Sequence, residues 1–598
     1  MKMVVTKSLL FIVFFTIVSN VIGQKIQYTL RMPNPQSHYF EVEMSLEGFK
    51  DKQLEIKMPV WAPGSYLVRE FSKNVNQVLA FNKEDKALKI SKKTKNTWII
   101  DNSSKTNLIK IKYQVYAFEL SVRTSFLDLT HGFVSGSGVF MYLQGYQNLS
   151  GTLEILPYKD FKIISTALPR SKISIAKDGS TSFEFENYDQ LVDCPIEIGN
   201  QEVFEFYASG VKHTVAMYGE GNYDVDQLKK DMPMVIEAET AVFGENPNKE
   251  YLFIVHNVVN GQGGLEHANS TTLSVNRWTY SGANYINFLN LVAHEYFHLW
   301  NVKRLRPIEL GPFNYDQENY TNLLWVMEGF TSYYDELIMR RIGLVSQEEF
   351  VSKIQSTVNY VEGTVGSRVQ SLAHSSFDAW IKGYRPNENS SNTTMTYYSR
   401  GQVIAAVFDV LIVEKYAGNK CLDDFMRHLY NKYAKQLKRG LTDQEFKKEM
   451  EDFIGTDLTD FYRKYIEGTE IPPYTEYFSK VGISVKYTGT KKPSFGATLK
   501  EDGGMVIVRN IRSDSSAEKA GLSVNDEIIA YDGIRADQSS LESYIGSLKE
   551  GEEIDLIISR DELIQIIKLK IYSYEKPQFS FSINFESTQK ELFDYWLR

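Results

Sequence analysis

Leu291-Val292-Ala293-His294-Glu295-Tyr296-Phe297-His298-Leu299-Trp300 sets a His-Glu-x-x-His pattern inside an apolar run compatible with a helix. Residues four apart share one face of a helix, so the imidazoles of His294 and His298 can converge on one point. Glu295 stands one residue on, beside that point and not aimed at it. A zinc hydrolase needs two neutral nitrogen ligands, with a carboxylate alongside to handle the proton of an attacking water. The plain alternative is a buried helix with two core histidines and a solvated glutamate. The scarcity of histidine, 9 in 598 residues, weighs against that coincidence.

A catalytic zinc site takes three protein ligands and leaves one position open. The third is sought in Trp325-Val326-Met327-Glu328-Gly329-Phe330-Thr331-Ser332-Tyr333-Tyr334, where Glu328 falls 30 positions after His298. That is room for a loop and a returning helix. A lone glutamate on a helix is usually solvated, but this one sits among apolar and aromatic neighbours, where an unpaired carboxylate is costly. Coordination to a dication removes the cost. The expected metal set is therefore His294, His298 and Glu328, the expected cofactor Zn2+, and the expected proton carrier Glu295.

At 598 residues the chain is long enough for several domains, and a hydrophobic content of 43% allows large cores. A net charge of −9 argues against nucleic acid or an anionic membrane surface as a main partner. The N-terminus reads as an export signal over 1–23: Lys2 and Lys7 give the positive start, 8–18 the apolar core, and Val21-Ile22-Gly23 the cleavage site. The rival reading is an uncleaved anchor. No later segment is apolar enough to span a bilayer, so the mature protein is expected to be secreted or periplasmic. Cys194 and Cys421 are the only cysteines. They read as two buried thiols, with a disulfide open in an oxidising compartment.

The rest of the chain divides by pattern. Residues 24–200 alternate apolar and polar side chains over 27–32, 38–46, 53–59 and 108–116, which predicts a β-sandwich. Within it, Pro59-Val60-Trp61-Ala62-Pro63-Gly64-Ser65-Tyr66 has a constrained backbone, suited either to a core corner or to a substrate wall. A mixed α and β catalytic unit is expected over 201–336, with a helix over 223–243 kinked or broken at Pro233 and a strand over 251–257. Residues 337–475 read as helical, with an apolar helix over 402–416, a polar loop over 387–394 and a capping box at Thr442-Asp443-Gln444-Glu445. Residues 480–573 turn to strands and glycine turns, and a tail, 574–598, ends in a helix-compatible run through Trp596.

His-Glu-x-x-His followed by W-x-x-E-G-F-T resembles the gluzincin metallopeptidases, the clan of thermolysin and aminopeptidase N. The longer H-E-Y-F-H-L-W-N-V-K-R-L-R-P, with the Trp61 to Phe71 stretch and Gly263-Gly264-Leu265-Glu266-His267, resembles the glycyl aminopeptidase family. The resemblance covers nearly the whole mature chain. It implies a multidomain α+β protein: an N-terminal β-sandwich, a thermolysin-like catalytic domain with a helical C-terminal part, and a C-terminal PDZ domain.

The resemblance also implies roles. Gly263-Gly264-Leu265-Glu266-His267 is similar to the G-x-M-E-N motif of aminopeptidase N, whose glutamate binds the free α-amine of the substrate, a role that falls to Glu266. Gly263 and Gly264 would let the substrate backbone lie close, while His267 stands where the motif has asparagine. Tyr397-Tyr398-Ser399-Arg400-Gly401 resembles Y-x-K-G, whose tyrosine donates to the oxyanion; the spacing gives that role to Tyr398, with Tyr397 as fallback. S-x-A-x-x-A-G-L and N-D-E-I-I-A-Y-D-G, from Ser515, resemble a PDZ domain, which binds extended peptides at a sheet edge. Its carboxylate loop would be Lys500-Glu501-Asp502-Gly503-Gly504, a poor match to G-L-G-F.

The implied function is a zinc aminopeptidase acting on peptides with a free N-terminus, probing for Gly or Ala at that end. The rivals are a zinc endopeptidase and an inactive peptidase-like scaffold that recruits partners through its PDZ domain.

Overall fold

The computed structural model describes residues 23–171, 179–585 and 587–598. Of the export signal read over 1–23, residues 1–22 lie outside them. Alternation does produce sheets at the N-terminal end. Tyr39–Glu47 buries every second side chain, and it pairs antiparallel with Lys25–Arg31 in the register Tyr28↔Met44. Lys25–Arg31 also pairs parallel with Gly151–Leu156, in the middle of a seven-stranded sheet. Two four-stranded sheets complete this region. Tyr28, Phe40, Met44 and Leu153 from the large sheet share one core with Ile56, Ile100, Val134 and Ile196 from the smaller ones.

The Trp61 segment leaves that core and enters the next. Trp61 and Tyr66 bury among the catalytic helices, Trp61 lying edge-on to Trp380 with its Nε1 donating to the carbonyl of Asn314 at 2.8 Å. The segment serves as a core corner, and its Gly64 also lines a cavity beside the helix that carries His294.

The catalytic sheet has five strands in the order Glu202–Ala208, Val211–Tyr218, Glu250–Val258, Ser270–Asn276, Gly264–Glu266. The last is its edge, antiparallel to Ser270–Asn276, while the three central strands run parallel. The helix Val225–Phe243, capped by Asp224, runs through Pro233 as one element, not as two. Met232, Val235 and Ile236 beside the proline are completely buried, and that packing offsets the roughly 3 kcal/mol an interior proline costs.

The helix Tyr397–Lys415 starts five residues earlier than its apolar run suggests and is buried on nearly all sides. The capping box at Thr442 opens the helix Asp443–Ile454, as its pattern indicates. The polar 387–394 stretch is not an open loop. It holds a short helix, Ser390–Thr393, whose neighbour contacts include Asn392 Nδ2 to the carbonyl of Ile511 at 2.7 Å.

The C-terminal region carries a sheet of Ala497–Asp502, Met505–Ile511, Glu527–Tyr531, Glu553–Arg560 and Leu563–Lys570, with the helix Gln538–Ser547 against it. Lys500 to Gly504 is not a loop ahead of a groove strand. It is the end of one strand and the turn of a hairpin, with Gly503 and Gly504 at φ +60° and +82°. The final helix, Ser587–Trp596, folds back so that Trp596 is fully buried and donates to the hydroxyl of Tyr333 at 2.8 Å. Cys194 and Cys421 are both buried free thiols.

Candidate active site

The helix Gly282–Phe297 carries His294 and Glu295, and His298 caps its C-terminal end. His294 Nδ1 lies 2.9 Å from Asp335 Oδ2, and His298 Nδ1 lies 2.7 Å from the carbonyl oxygen of Asn301. With Nδ1–H committed as a donor, each ring turns the lone pair of Nε2 inward. The two Nε2 atoms stand 3.4 and 3.2 Å from Glu328 Oε2. Ligands held tetrahedrally at zinc distances are separated by about 3.3 Å, so both distances to Glu328 suit that ion. Glu266, Glu295 and His298 also fall within metal-holding distance of one another. Only the first set has both imidazoles locked from behind.

Glu328 sits at the junction of the helices Leu324–Met327 and Gly329–Arg341. Asn301 fixes this junction. Its Nδ2 faces the carbonyls of Val326 and Met327, each at 3.1 Å. One asparagine thus positions His298 through its backbone and the approach to Glu328 through its side chain. Gly329 and Gly401 let the helix Tyr397–Lys415 come into backbone contact just behind the ligand: a Cβ on Gly329 would lie 2.4 Å from the Cα of Gly401.

These groups open on a cavity of about 310 Å³ that Gly64, Arg123, Gly263, Gly264 and Glu266 also line. Glu295 is 5% exposed, and one carboxylate oxygen has no partner. A Cβ on Gly264 would lie 2.3 Å from the Glu295 carboxylate carbon, so only glycine leaves that side chain its place. Glu266 reaches the cavity from the sheet edge, and its Oε1 is buried without a partner. Tyr398 lines the cavity, its ring stacked at 6.2 Å on that of His294. Tyr397 is buried beside it, its hydroxyl unpartnered and off the cavity. The geometry therefore favours Tyr398 over Tyr397. Arg400 points the other way, to the carbonyls of Ser367 and Glu470 at 3.3 Å each.

Burial above all pushes the Glu295 carboxyl up to about 7; His294 and His298 pull it down, while Glu266 and Glu328 push it further up. Burial acts against a charged His294, but Asp335 and Glu328 outweigh it and hold the imidazole well above its ordinary pKa. The negative field that favours a proton there favours a dication between the rings equally well. Burial, then the charge of Glu328, raises the Tyr398 hydroxyl well above the tyrosine range, so it stays a hydrogen-bond donor.

Three stretches of the chain match models of known families. Residues 27–200 match the Peptidase M61 N-terminal domain, residues 287–404 match the M61 glycyl aminopeptidase model, and residues 493–571 match a PDZ domain. The chain belongs to the M61 glycyl aminopeptidase family. It is a metallopeptidase with a PDZ domain. The crystal structure of an aminopeptidase N family protein from Idiomarina loihiensis is similar over 95% of this chain and 100% of that one, at 29% identity and a TM-score of 0.87. Looser likenesses are an M1 zinc metallopeptidase from Deinococcus radiodurans, at 12% identity over 76% of this chain and 96% of that one with a TM-score of 0.47, and leukotriene A4 hydrolase from Saccharomyces cerevisiae, at 14% over 76% and 69% with 0.47. Among curated proteins no sequence matches.

In this member of the M61 family, sequence reading places His294, Glu295, His298, Glu328, Glu266, Gly263, Gly264 and Tyr398 together, and the structure does bring them to one cavity. His267 is the exception. It turns away to Asp193, 3.1 Å from Nδ1, where Lys303 also binds at 2.7 Å. Three groups escape sequence reading. Asp335 falls two helical turns after Glu328, a spacing that places both on one face and could have exposed it. Asn301 and Arg123 carry no local signal.

Proposed function

We propose that this chain is a zinc-dependent aminopeptidase that removes one small residue, Gly or Ala, from the free N-terminus of a peptide. His294, His298 and Glu328 would hold the ion. Zinc bound there supplies Lewis acidity, polarising the scissile carbonyl and acidifying a water. Glu295, close to neutral affinity for a proton, accepts one from the attacking water and returns it to the leaving amine. Tyr398 donates a hydrogen bond to the carbonyl oxygen as negative charge gathers on it. Gly263 and Gly264 leave the sheet edge open for an extended substrate backbone.

One observation carries the exopeptidase reading: a buried, unpartnered oxygen on Glu266, whose side chain lines the same cavity as the metal set. A carboxylate in that position requires a cation, and the α-ammonium of a substrate supplies it with a charge-assisted hydrogen bond. Preference for small residues is supported by the recess behind Glu266, only about 20 Å³, which Trp61, Tyr66, Leu310 and Phe313 wall in.

The test is a panel of aminoacyl chromogenic substrates and matched peptides with free or acetylated N-termini. They are run on zinc-loaded wild type, Glu266→Gln and Glu295→Ala. Free Gly and Ala substrates should turn over and acetylated ones should not. Equal cleavage of both would leave an endopeptidase, with Glu266 in an internal subsite.

A further inference from the structure

Arg123 belongs to the N-terminal β-rich region, yet its guanidinium stands in the active-site cavity. The segment that delivers it is folded tightly on itself. Phe118 and Phe126 stack at 5.3 Å, the hydroxyls of Ser121 and Thr124 lie 2.6 Å apart, and Thr124 Oγ1 donates to the carbonyl of Glu119 at 2.7 Å. Arg123 is thus held out on a braced turn, not on a free loop. Its Nη2 donates to the carbonyl of Gly264 at 3.1 Å. Its Nε is buried and has no partner, and among the described residues it forms no ion pair.

A guanidinium has five N–H donors and always carries its charge. Arg123 is partly buried and spends one donor on a backbone carbonyl, so most of that capacity is left for a group entering the cavity. Arg69, from the same region, lies close enough that, after burial itself, the charge of Arg123 is what lowers its pKa. Burial works against the charge on Arg123, while Tyr384 and Tyr398, then Glu295 and Glu266, favour it and raise its pKa; among the described residues neither carboxylate pairs with it. Glu266 is left for the α-ammonium and Glu295 for the proton transfer.

Resting on the aminopeptidase reading above, we propose that Arg123 is the subsite for the free C-terminal carboxylate of a dipeptide, making unmodified dipeptides the substrate class of this enzyme. The planar fork matches a carboxylate in two parallel hydrogen bonds. The spacing agrees. The carbonyl that anchors Arg123 and the Glu266 that faces the amine are two residues apart on one strand, about 7 Å, and the two residues of an extended dipeptide span about the same. Longer peptides would present a neutral amide at that point and leave the guanidinium unmatched. Length selection then arises from the two ends of the substrate being read by two opposite charges, with the scissile bond between them.

The experiment compares kcat/KM of the zinc-loaded full chain on Ala-Ala and Gly-Ala with their C-terminal amides, for wild type, Arg123→Gln and Arg123→Lys. Wild type should prefer the acids by about 10–100-fold, the range of a charge-assisted pair. Arg123→Gln should raise KM for the acids by that factor, leave kcat and the amides nearly unchanged, and so erase the preference. Arg123→Lys, which keeps the charge and loses the fork, should recover part of it. If Arg123→Gln fails to bind zinc or to fold, the Lys variant decides alone through the same selective rise in KM for acids. Equal cleavage of acid and amide by wild type, or an equal loss for both in the variants, overturns the subsite and leaves the aminopeptidase reading standing. Failure of wild type to cleave any of the four peptides overturns that reading itself.

Discussion

At the scale of the residue, the metal set depends on what stands behind it. Asp335 accepts from His294 Nδ1 at 2.9 Å and so fixes which nitrogen faces the ion. In Asp335→Asn the size is kept, but the charge and the assured acceptor are lost, and such partners typically contribute 10–100-fold to metal affinity. Zinc affinity measured by chelator competition should fall by that order, while Glu295→Gln should retain the metal and lose turnover. Unchanged affinity would mean that Asp335 serves the helix packing alone. Tyr398→Phe removes one donor at the edge of the cavity and should lower kcat by about 10²–10³ with little change in KM. A rise in KM at constant kcat would instead make Tyr398 a binding residue. The ligands themselves are legible in the sequence because helix periodicity is local: four positions between two histidines determine a face. Asp335 acts on His294 from 41 positions away, with only its two-turn spacing from Glu328 as a local sign, and the side chain of Asn301 reaches carbonyls 25 and 26 positions on, a distance that no pattern in its segment records.

At the scale of the element, glycines decide how closely the pieces approach. The edge strand Gly264–Glu266 runs past the His294 helix so tightly that the Glu295 carboxylate occupies the space of a Gly264 side chain. Gly264→Ala should therefore displace Glu295 while the fold persists. We expect a fall in kcat of two orders or more, with the zinc content intact and the melting temperature nearly unchanged, because catalytic geometry is lost with a displacement of about 1 Å. Parallel losses of zinc and of stability would show that the strand, not the base, absorbs the insertion. The sequence displays the glycine pair but not its reason. A Gly-Gly turn and a glycine kept bare for a neighbour's carboxylate look alike until the helix and strand are set side by side. The same holds for Pro233, where a local rule predicts a kink or a break. Burial of its flanks averts the break, because helix continuity is decided by tertiary packing as much as by the chain itself.

At the scale of the whole molecule, the parts are fastened to one another through the catalytic core. The C-terminal helix returns Trp596 to Tyr333, on the helix that carries Asp335, and Tyr333 in turn donates to Asp409 at 2.6 Å. Trp596→Ala should cost about 3–5 kcal/mol of unfolding free energy, read as a lower denaturant midpoint for the catalytic unit and not for the C-terminal region alone.

A second fastening joins the N-terminal region to the catalytic sheet. Glu197, fully buried, bridges His131 Nδ1 at 2.7 Å and His256 Nε2 at 2.9 Å, one oxygen to each. Those are hydrogen-bond lengths through separate oxygens, unlike the single oxygen of Glu328 set 3.2–3.4 Å from two imidazoles, so this trio reads as a clamp and not as a second metal site. Burial alone would raise the Glu197 carboxyl, yet His131 and His256 outweigh it and hold it down at about 2. A depressed carboxylate gives stability that is present above its unfolded pKa, near 4.5, and lost as pH falls through the folded value near 2. The clamp should therefore contribute roughly 3 kcal/mol at neutral pH and progressively less from about pH 4 downward. Glu197→Gln keeps the shape and removes the proton linkage. Unfolding of wild type should become easier between pH 5 and 3 by more than that of the variant, and the two stability curves should converge toward pH 2. Parallel curves across that range would mean that the charge on Glu197 does not hold the two regions together.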